Sequence, residues 1–233
     1  MQSVGVSAIE TGWVAPPTKA ATAYRSIRTE LWHFRIRNAQ DLTGQRLAHR
    51  YDVSRNTITR ALDRLAGERM LRRVSYGRHT PYVPAASEIA ASYSANLALA
   101  EATYRPDPLL PRRPHRRDSE RSTRLAVAER IVETQDPDLA ASELEALLRK
   151  VARHAGGPHS DAMIEPDLAL LARIRRIEHL ILPNQFTDVA QLMRYFYAGR
   201  YPQLIRSLQV YTQQRVVVAH VLAIALRGSQ EDM

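Results

Sequence analysis

The chain has 233 residues, 45% of them hydrophobic, no cysteine and a formal net charge of +9, which describes a globular protein with room for two small domains and excludes disulfide frameworks and thiol chemistry. The opening MQSVGVSAIETG has neither the basic nor the apolar stretch of a leader, and the most apolar run, residues 216–226, is interrupted by His220 and far short of the ~20 residues a bilayer span needs, so a cytoplasmic protein with no membrane partner is expected. Residues 1–85 hold fourteen Lys and Arg against six Asp and Glu, a balance of +8, while the rest of the chain carries only +1, the charge footprint of a unit that meets a polyanion joined to one that does not.

In chain order, residues 1–18, with two glycines and two prolines, read as a flexible arm. An amphipathic pattern at Ala20, Ala23, Ile27, Leu31 and Phe34 predicts a helix over 19–34. A short second helix over 43–50 has Thr43 as N-cap and Leu47 and Ala48 as its apolar face. After Tyr51-Asp52-Val53, Ser54 caps a third helix that runs to Gly67. Residues 71–74 and 80–83 read as a β-hairpin around Ser75-Tyr76-Gly77-Arg78. Beyond Pro84, helical periodicity recurs over 87–104, 119–135, 138–154, 166–182, 187–198 and 202–227, with Pro166 and Pro202 in first turns. Between the first two lies 105–118, with four prolines and five arginines, read either as a solvated loop or as a basic arm on DNA phosphate. The expected fold is mainly α: a winged helix-turn-helix over 19–84, a connecting helix and loop over 85–121, and an all-helical bundle over 122–233 for effector binding or dimerisation.

Residues 43–83 carry the specific signal. Two short helices separated by a three-residue turn and followed by a two-stranded wing form a winged helix-turn-helix, in which the second helix of the pair enters the major groove. At about 100° per residue, Ile58, Ala61, Leu62 and Leu65 share the packing face, while Asn56, Arg60 and Asp63 point away with Arg55, Thr59 and Arg64 on the flanks. Arg55 and Arg60 suit phosphate or guanine edges, Asn56 suits adenine, and Thr57 and Thr59 offer hydroxyls or methyls. Arg72, Arg73, Arg78 and His79 flank a glycine-bearing wing tip that a phosphate or the minor groove can approach. Only Lys19 and Lys150 are lysines among 33 basic residues. A GC-rich codon bias and the bidentate contacts of guanidinium both fit that preference.

The stretch Thr43-Gly44-Gln45-Arg46-Leu47-Ala48, then Asp52-Val53-Ser54-Arg55-Asn56-Thr57-Ile58, then Ala61-Leu62-Asp63-Arg64-Leu65, with the wing Leu71-Arg72-Arg73-Val74-Ser75-Tyr76-Gly77-Arg78, resembles the DNA-binding domain of GntR-type bacterial regulators. The resemblance implies DNA contacts by Gln45 or Arg46, by Ser54, Arg55, Asn56, Thr57 and Thr59, and by Tyr76 and Gly77. Two departures stand out. Members usually have arginine where Thr59 stands, and the glycine usual after the third helix is replaced in Glu68-Arg69-Met70. A shifted operator is therefore expected.

The helical second half resembles the FCD type of effector domain in the FadR subgroup, best over 168–214 and especially at Tyr197-Ala198-Gly199-Arg200. Many such domains hold a divalent metal, but the corresponding positions here are Leu144, Leu148, Val189 and Tyr211, and the five histidines at 115, 154, 159, 179 and 220 show no paired spacing. No metal and no cofactor are expected. Tyr195, Tyr197 and Tyr211, near Tyr201, are either ligand-pocket hydroxyls or ordinary core. The all-round apolar helix at 216–226 must be buried in the bundle or against a second copy.

These readings converge on a sequence-specific DNA-binding transcriptional regulator, a repressor that binds a near-palindromic operator as a homodimer and is released by a small-molecule effector. The alternative is a plasmid or phage replication or transfer control protein whose bundle is an interaction module. An enzyme is not expected: Lys150 is the only lysine beyond the first domain and no nucleophile or paired-carboxylate arrangement stands out.

Overall fold

The computed structural model describes residues 18–74, 78–104, 118–156 and 160–231. The expected arm at 1–18, apart from Thr18, the loop over 105–117 and the wing tip at 75–77 lie outside them. Three helices open the chain: α1 (Lys19–Trp32), α2 (Gly44–Tyr51) and α3 (Arg55–Gly67). Thr18 starts α1 by accepting the Ala21 N–H at 3.2 Å. Thr43 occupies the N-cap of α2 without a side-chain cap bond, so only its position fits the expectation. Ala23, Tyr24, Ile27 and Leu31 from α1, Leu47 from α2, and Ile58, Ala61, Leu62 and Leu65 from α3 make one buried core, closed below by Met70 and Leu71. Ala20 of the expected stripe is exposed, and Phe34 lies beyond α1 at a left-handed φ of 55°.

The hairpin pairs β1 (Leu71–Val74) with β2 (Arg78–Pro81) antiparallel, Leu71 opposite Pro81 and Val74 opposite Arg78. The second strand therefore starts two residues earlier than the expected 80–83, at Arg78 opposite Val74. Glu68-Arg69-Met70 turns the chain from α3 into β1. Arg69 takes φ 57°, the left-handed position for which glycine is the unstrained residue, and the Met70 N–H bonds the Leu65 carbonyl at 3.0 Å.

The remaining helices are α4 (Ala86–Tyr104), α5 (Asp118–Thr134), α6 (Pro137–Gly156), α7 (Ser160–Ile177), α8 (Gln185–Tyr197), α9 (Tyr201–Val217) and α10 (Ala219–Glu231), with a 3₁₀ turn over Glu178–Leu180. They enclose a second core in which α4 packs on α6, α7, α9 and α10 and α5 packs on α8. Two expectations need correction. The segment expected to begin at Pro166 begins at Ser160, so this proline lies inside α7 and removes a helical bond. Ile164, buried in the core, anchors the turn before it, so tertiary packing overrides local propensity. The single helix expected over 202–227 is divided at Val218 (φ −97°, ψ 11°), within the run Val216-Val217-Val218, whose β-branched side chains are poor helix formers. Nor is its apolar surface wholly buried: Val217 and Ile224 are 62% and 65% exposed. Among the described residues no helix is long and apolar enough to cross a membrane.

The two cores meet at the end of α1. Trp32 lies between the guanidinium groups of Arg28 (4.5 Å) and Arg176 (5.4 Å), and Arg173 covers the Phe34 ring at 4.8 Å. Glu165 of α7 accepts from Arg28 at 3.0 Å and from Arg149 of α6 at 3.1 Å. Helix α7 thus carries much of the contact with the N-terminal unit, joined by Asp138 of α6 on His33 at 3.5 Å.

Candidate nucleic-acid interface

The apolar positions Ile58, Ala61, Leu62 and Leu65 fix the orientation of α3, because all four are buried against α1 and α2. Everything opposite is turned to solvent. Arg55, Asn56, Thr59 and Arg60 are exposed and Thr57 is half-buried. Ser54 closes the helix start: its Oγ accepts the Thr57 N–H at 3.1 Å and lies 2.9 Å from the Thr57 hydroxyl. The remaining first-turn amides, with the positive end of the helix dipole, form a place for a phosphate. Thr59 donates its hydroxyl to the Arg55 carbonyl at 3.0 Å, which leaves its methyl and oxygen lone pairs for a base edge.

The cations around α3 fall into two groups. Arg64 is drawn back onto the N-terminal core, over the Tyr24 ring at 4.1 Å and on Glu68 at 3.0 Å, and Arg46 pairs with Asp41 at 3.1 Å. Burial and the Glu68 bond push the Tyr24 hydroxyl up to about 12. By contrast, among the described residues the guanidinium groups of Arg55, Arg60 and Arg72 take part in no hydrogen bond or ion pair and stand exposed on α3 and the wing. Gln45 and Arg78 are also exposed. The structure therefore brings Ser54, Arg55, Asn56, Thr57, Thr59 and Arg60 onto one helix end and face, with Gln45 and Arg46 on α2 and Arg72 and Arg78 on the wing. Tyr76 and Gly77 fall outside the described residues.

One feature of the interface was not found from the sequence. Asp63, which points outward with Asn56 and Arg60, is held by the wing: Arg73 donates to its Oδ1, and His79 Nε2 lies 3.2 Å from the same oxygen. His79 is only 2% exposed, so it is a buried strut rather than a wing-tip contact. The Arg73 bond holds the Asp63 carboxyl below its ordinary value against the opposing effect of burial. A carboxylate on the outward face of a basic helix repels phosphate unless it is neutralised, and that mismatch was the signal available in the sequence.

The tyrosines of the bundle are divided between different partners. Tyr211 donates to Glu178 at 3.2 Å, Tyr197 accepts from Lys150 at 3.2 Å and packs edge-on to Phe196, and Tyr195 is half-buried at the rim of the core. Tyr201 stacks on Tyr104 with ring centroids 4.2 Å apart. Leu144, Leu148, Val189 and Tyr211 are all buried in the bundle core. Among the described residues no three His, Cys, Asp or Glu side chains come together in a group able to hold a metal.

Residues 19–78 match the family model of bacterial regulatory proteins, gntR family. Among solved structures, a GntR protein of Rhodococcus sp. RHA1 described as a transcriptional regulator superposes with a TM-score of 0.69 at 15% identity, over 87% of this chain and 98% of that one. McbR/YncC of E. coli superposes with a TM-score of 0.56 at 16% identity, over 88% of this chain and 99% of that one. At such identities the likeness is one of fold, and it extends through the helical bundle. No curated protein matches the chain.

Proposed function

We propose that the chain, whose residues 19–78 match the gntR family model of bacterial regulatory proteins, is a repressor that binds a near-palindromic operator as a homodimer and is released by a small molecule held in an FCD-like, metal-free bundle. The observation that carries the reading is the divided set of cations around α3: Arg64 is drawn back onto Tyr24 and Glu68, while Arg55 and Arg60 stand unpaired beside Asn56 on the exposed helix face. In this reading Arg55, Asn56, Thr57, Thr59 and Arg60 meet base edges, and Ser54, Gln45, Arg46, Arg72 and Arg78, with Tyr76 and Gly77, meet the backbone or the minor groove.

Two copies are supported by the symmetry of paired half-sites and by an apolar stripe the monomer leaves uncovered. Val210 and Val217, seven residues apart on the continuous helix α9, are 59% and 62% exposed and line one surface hollow with Leu182. The second copy is the occupant we assign to that stripe.

Selection of bound fragments from genomic DNA tests the reading. Asn56→Ala is expected to lose discrimination at one base pair, about 1–3 kcal/mol, whereas Arg72→Ala weakens all sequences alike and lowers the salt slope by about one. Unchanged sequence preference in Asn56→Ala would count against the assignment.

A further inference from the structure

The N-terminal unit meets the bundle at two places, the end of α1 and the exit from the wing, and one side chain of α7 holds both. Arg173, only 4% exposed, covers the Phe34 ring at 4.8 Å and donates to the Tyr82 carbonyl at 3.3 Å. Tyr82 is itself tied to both units. Its N–H bonds the Met70 carbonyl at 3.0 Å, and its hydroxyl donates to Glu88 of α4 at 2.6 Å. Glu88 also accepts the Ala85 N–H at 2.9 Å, so the short connection from the wing to α4 is pinned along its length.

At the end of α1 the attachment is built from charges and rings. Trp32 sits between Arg28 of its own helix and Arg176 of α7, Glu165 joins Arg28 to Arg149, and Asp138 joins Arg176 to His33. Trp32 Nε1 and Arg28 Nε are buried there without a hydrogen-bond partner, which makes the contact costly. Aliphatic side chains, of which both cores are largely made, would close the same gap at less cost. What directional polar and ionic contacts supply instead is a single defined arrangement. Attachment at two places, both of them directional, stops the unit from turning about its linker.

We propose that this two-point mounting determines which half-site spacing the protein accepts, with Arg173 and Arg176 as positioning residues that touch no DNA. The inference rests on reading the chain as a dimeric DNA-binding regulator. Half-sites lie on a duplex that rises about 34–36 Å per turn of about 10 base pairs, so each inserted pair moves the second half-site by about 3.4 Å and turns it by about 35° around the DNA axis. A unit on a loose tether follows both movements. A unit fixed at two points does not. Fixed mounting gives the second half-site a high effective concentration at one spacing and forfeits it wherever geometry forbids simultaneous engagement. The mounting shares no residue with the face assigned to DNA, so spacing preference and half-site affinity are separable by substitution.

The fragment selected from genomic DNA is rebuilt with its half-sites moved together or apart by single base pairs, and with one half-site alone, and its retention by the full chain is measured. The wild type is expected to bind the selected spacing about tenfold better than one altered by two base pairs. Arg173→Met, which keeps bulk and loses the guanidinium, is expected to flatten that profile to within about twofold while single half-site affinity stays unchanged. Acrylamide quenching of Trp32, read in a Trp13→Phe background, is expected to rise in the same variant as the mounting loosens. An unchanged spacing profile in Arg173→Met overturns the proposal. So does a fall in single half-site affinity equal to the fall at the selected spacing, which would make Arg173 only a support of the N-terminal fold. If the methionine variant does not fold, Glu165→Gln, at a 41% exposed position of the α1 attachment, takes its place, and an unchanged profile there overturns the proposal. A wild type that prefers the half-site sequence but no spacing overturns it too and leaves the regulator reading standing. A wild type with no sequence preference removes the regulator reading and the proposal together.

Discussion

Asp63 of α3 and His79 of β2 are linked at 3.2 Å across the angle between α3 and the wing, with Arg73 on the same carboxylate oxygen. The link sets the wing against the helix, and it removes the one negative charge from the outward face. Asp63→Asn is expected to cost under about 1 kcal/mol of stability, because the carboxylate is half-exposed. Its larger effect is on recognition: the ratio of specific to non-specific DNA affinity falls. Because the Asp63 carboxyl is held below its ordinary value, the clasp is complete at and above the usual carboxylate range. It is lost as pH falls through the depressed value. Fragment retention at matched salt for wild type and Asp63→Asn, together with urea midpoints over an acid pH series, checks both points.

Arg69 holds the left-handed turn after α3 at φ 57°. Among the described residues its only ion pair is a long contact with half-buried Glu88 at 3.8 Å, which contributes little. Arg69→Gly should relieve the strain and stabilise the domain by about 0.5–1 kcal/mol. Urea denaturation reads this directly, and a fall in the midpoint would show that the arginine is held by interactions beyond the turn.

Glu178 is the hub of the buried network, fully buried with Arg215 and accepting from Tyr93 and Tyr211. Burial first, then the Glu178 charge, raise the Tyr93 and Tyr211 hydroxyls well above their ordinary range, so both stay protonated as donors. Glu178→Gln leaves Arg215 with Asp188 alone and is expected to destabilise the bundle by about 3–5 kcal/mol, measured by chemical denaturation.

Val217→Asp places a charge in the exposed apolar face formed by Val210, Val217 and Leu182. The expected result is a monomer in sedimentation equilibrium, with the helical content retained and operator affinity reduced by at least an order of magnitude, since single half-sites bind weakly. A dimer of unchanged strength would place the interface elsewhere.

Much of this architecture was legible in the chain. The apolar positions of α3 fall on one face at the helical period, and burying them leaves Arg55, Asn56 and Arg60 outward with no further information needed. Local stop and cap signals placed most helix ends to within a residue or two, Ser54 most clearly. The failures share a cause. Pro166 reads locally as a helix start, yet α7 begins earlier because Ile164 has a place in the core. Residues 202–227 read as one helix, and the division at Val218 shows only in three dimensions.

The sequence by itself determined which face of α3 stays exposed, the face we assign to DNA, because periodicity, charge balance and the order of two short helices and a wing are all local properties of the chain. Only the tertiary structure decided which charges are spent. Asp63 is neutralised by the wing, Arg64 by Tyr24 and Glu68, and Arg215 by Glu178, all pairings set by packing. Arg175, indistinguishable in sequence from its neighbours Arg173 and Arg176, is turned by the helix step of about 100° toward Tyr93 and Tyr211, while those neighbours cover Phe34 and Trp32. Partnership across a core depends on direction as well as on composition, and direction is fixed only when the helices pack.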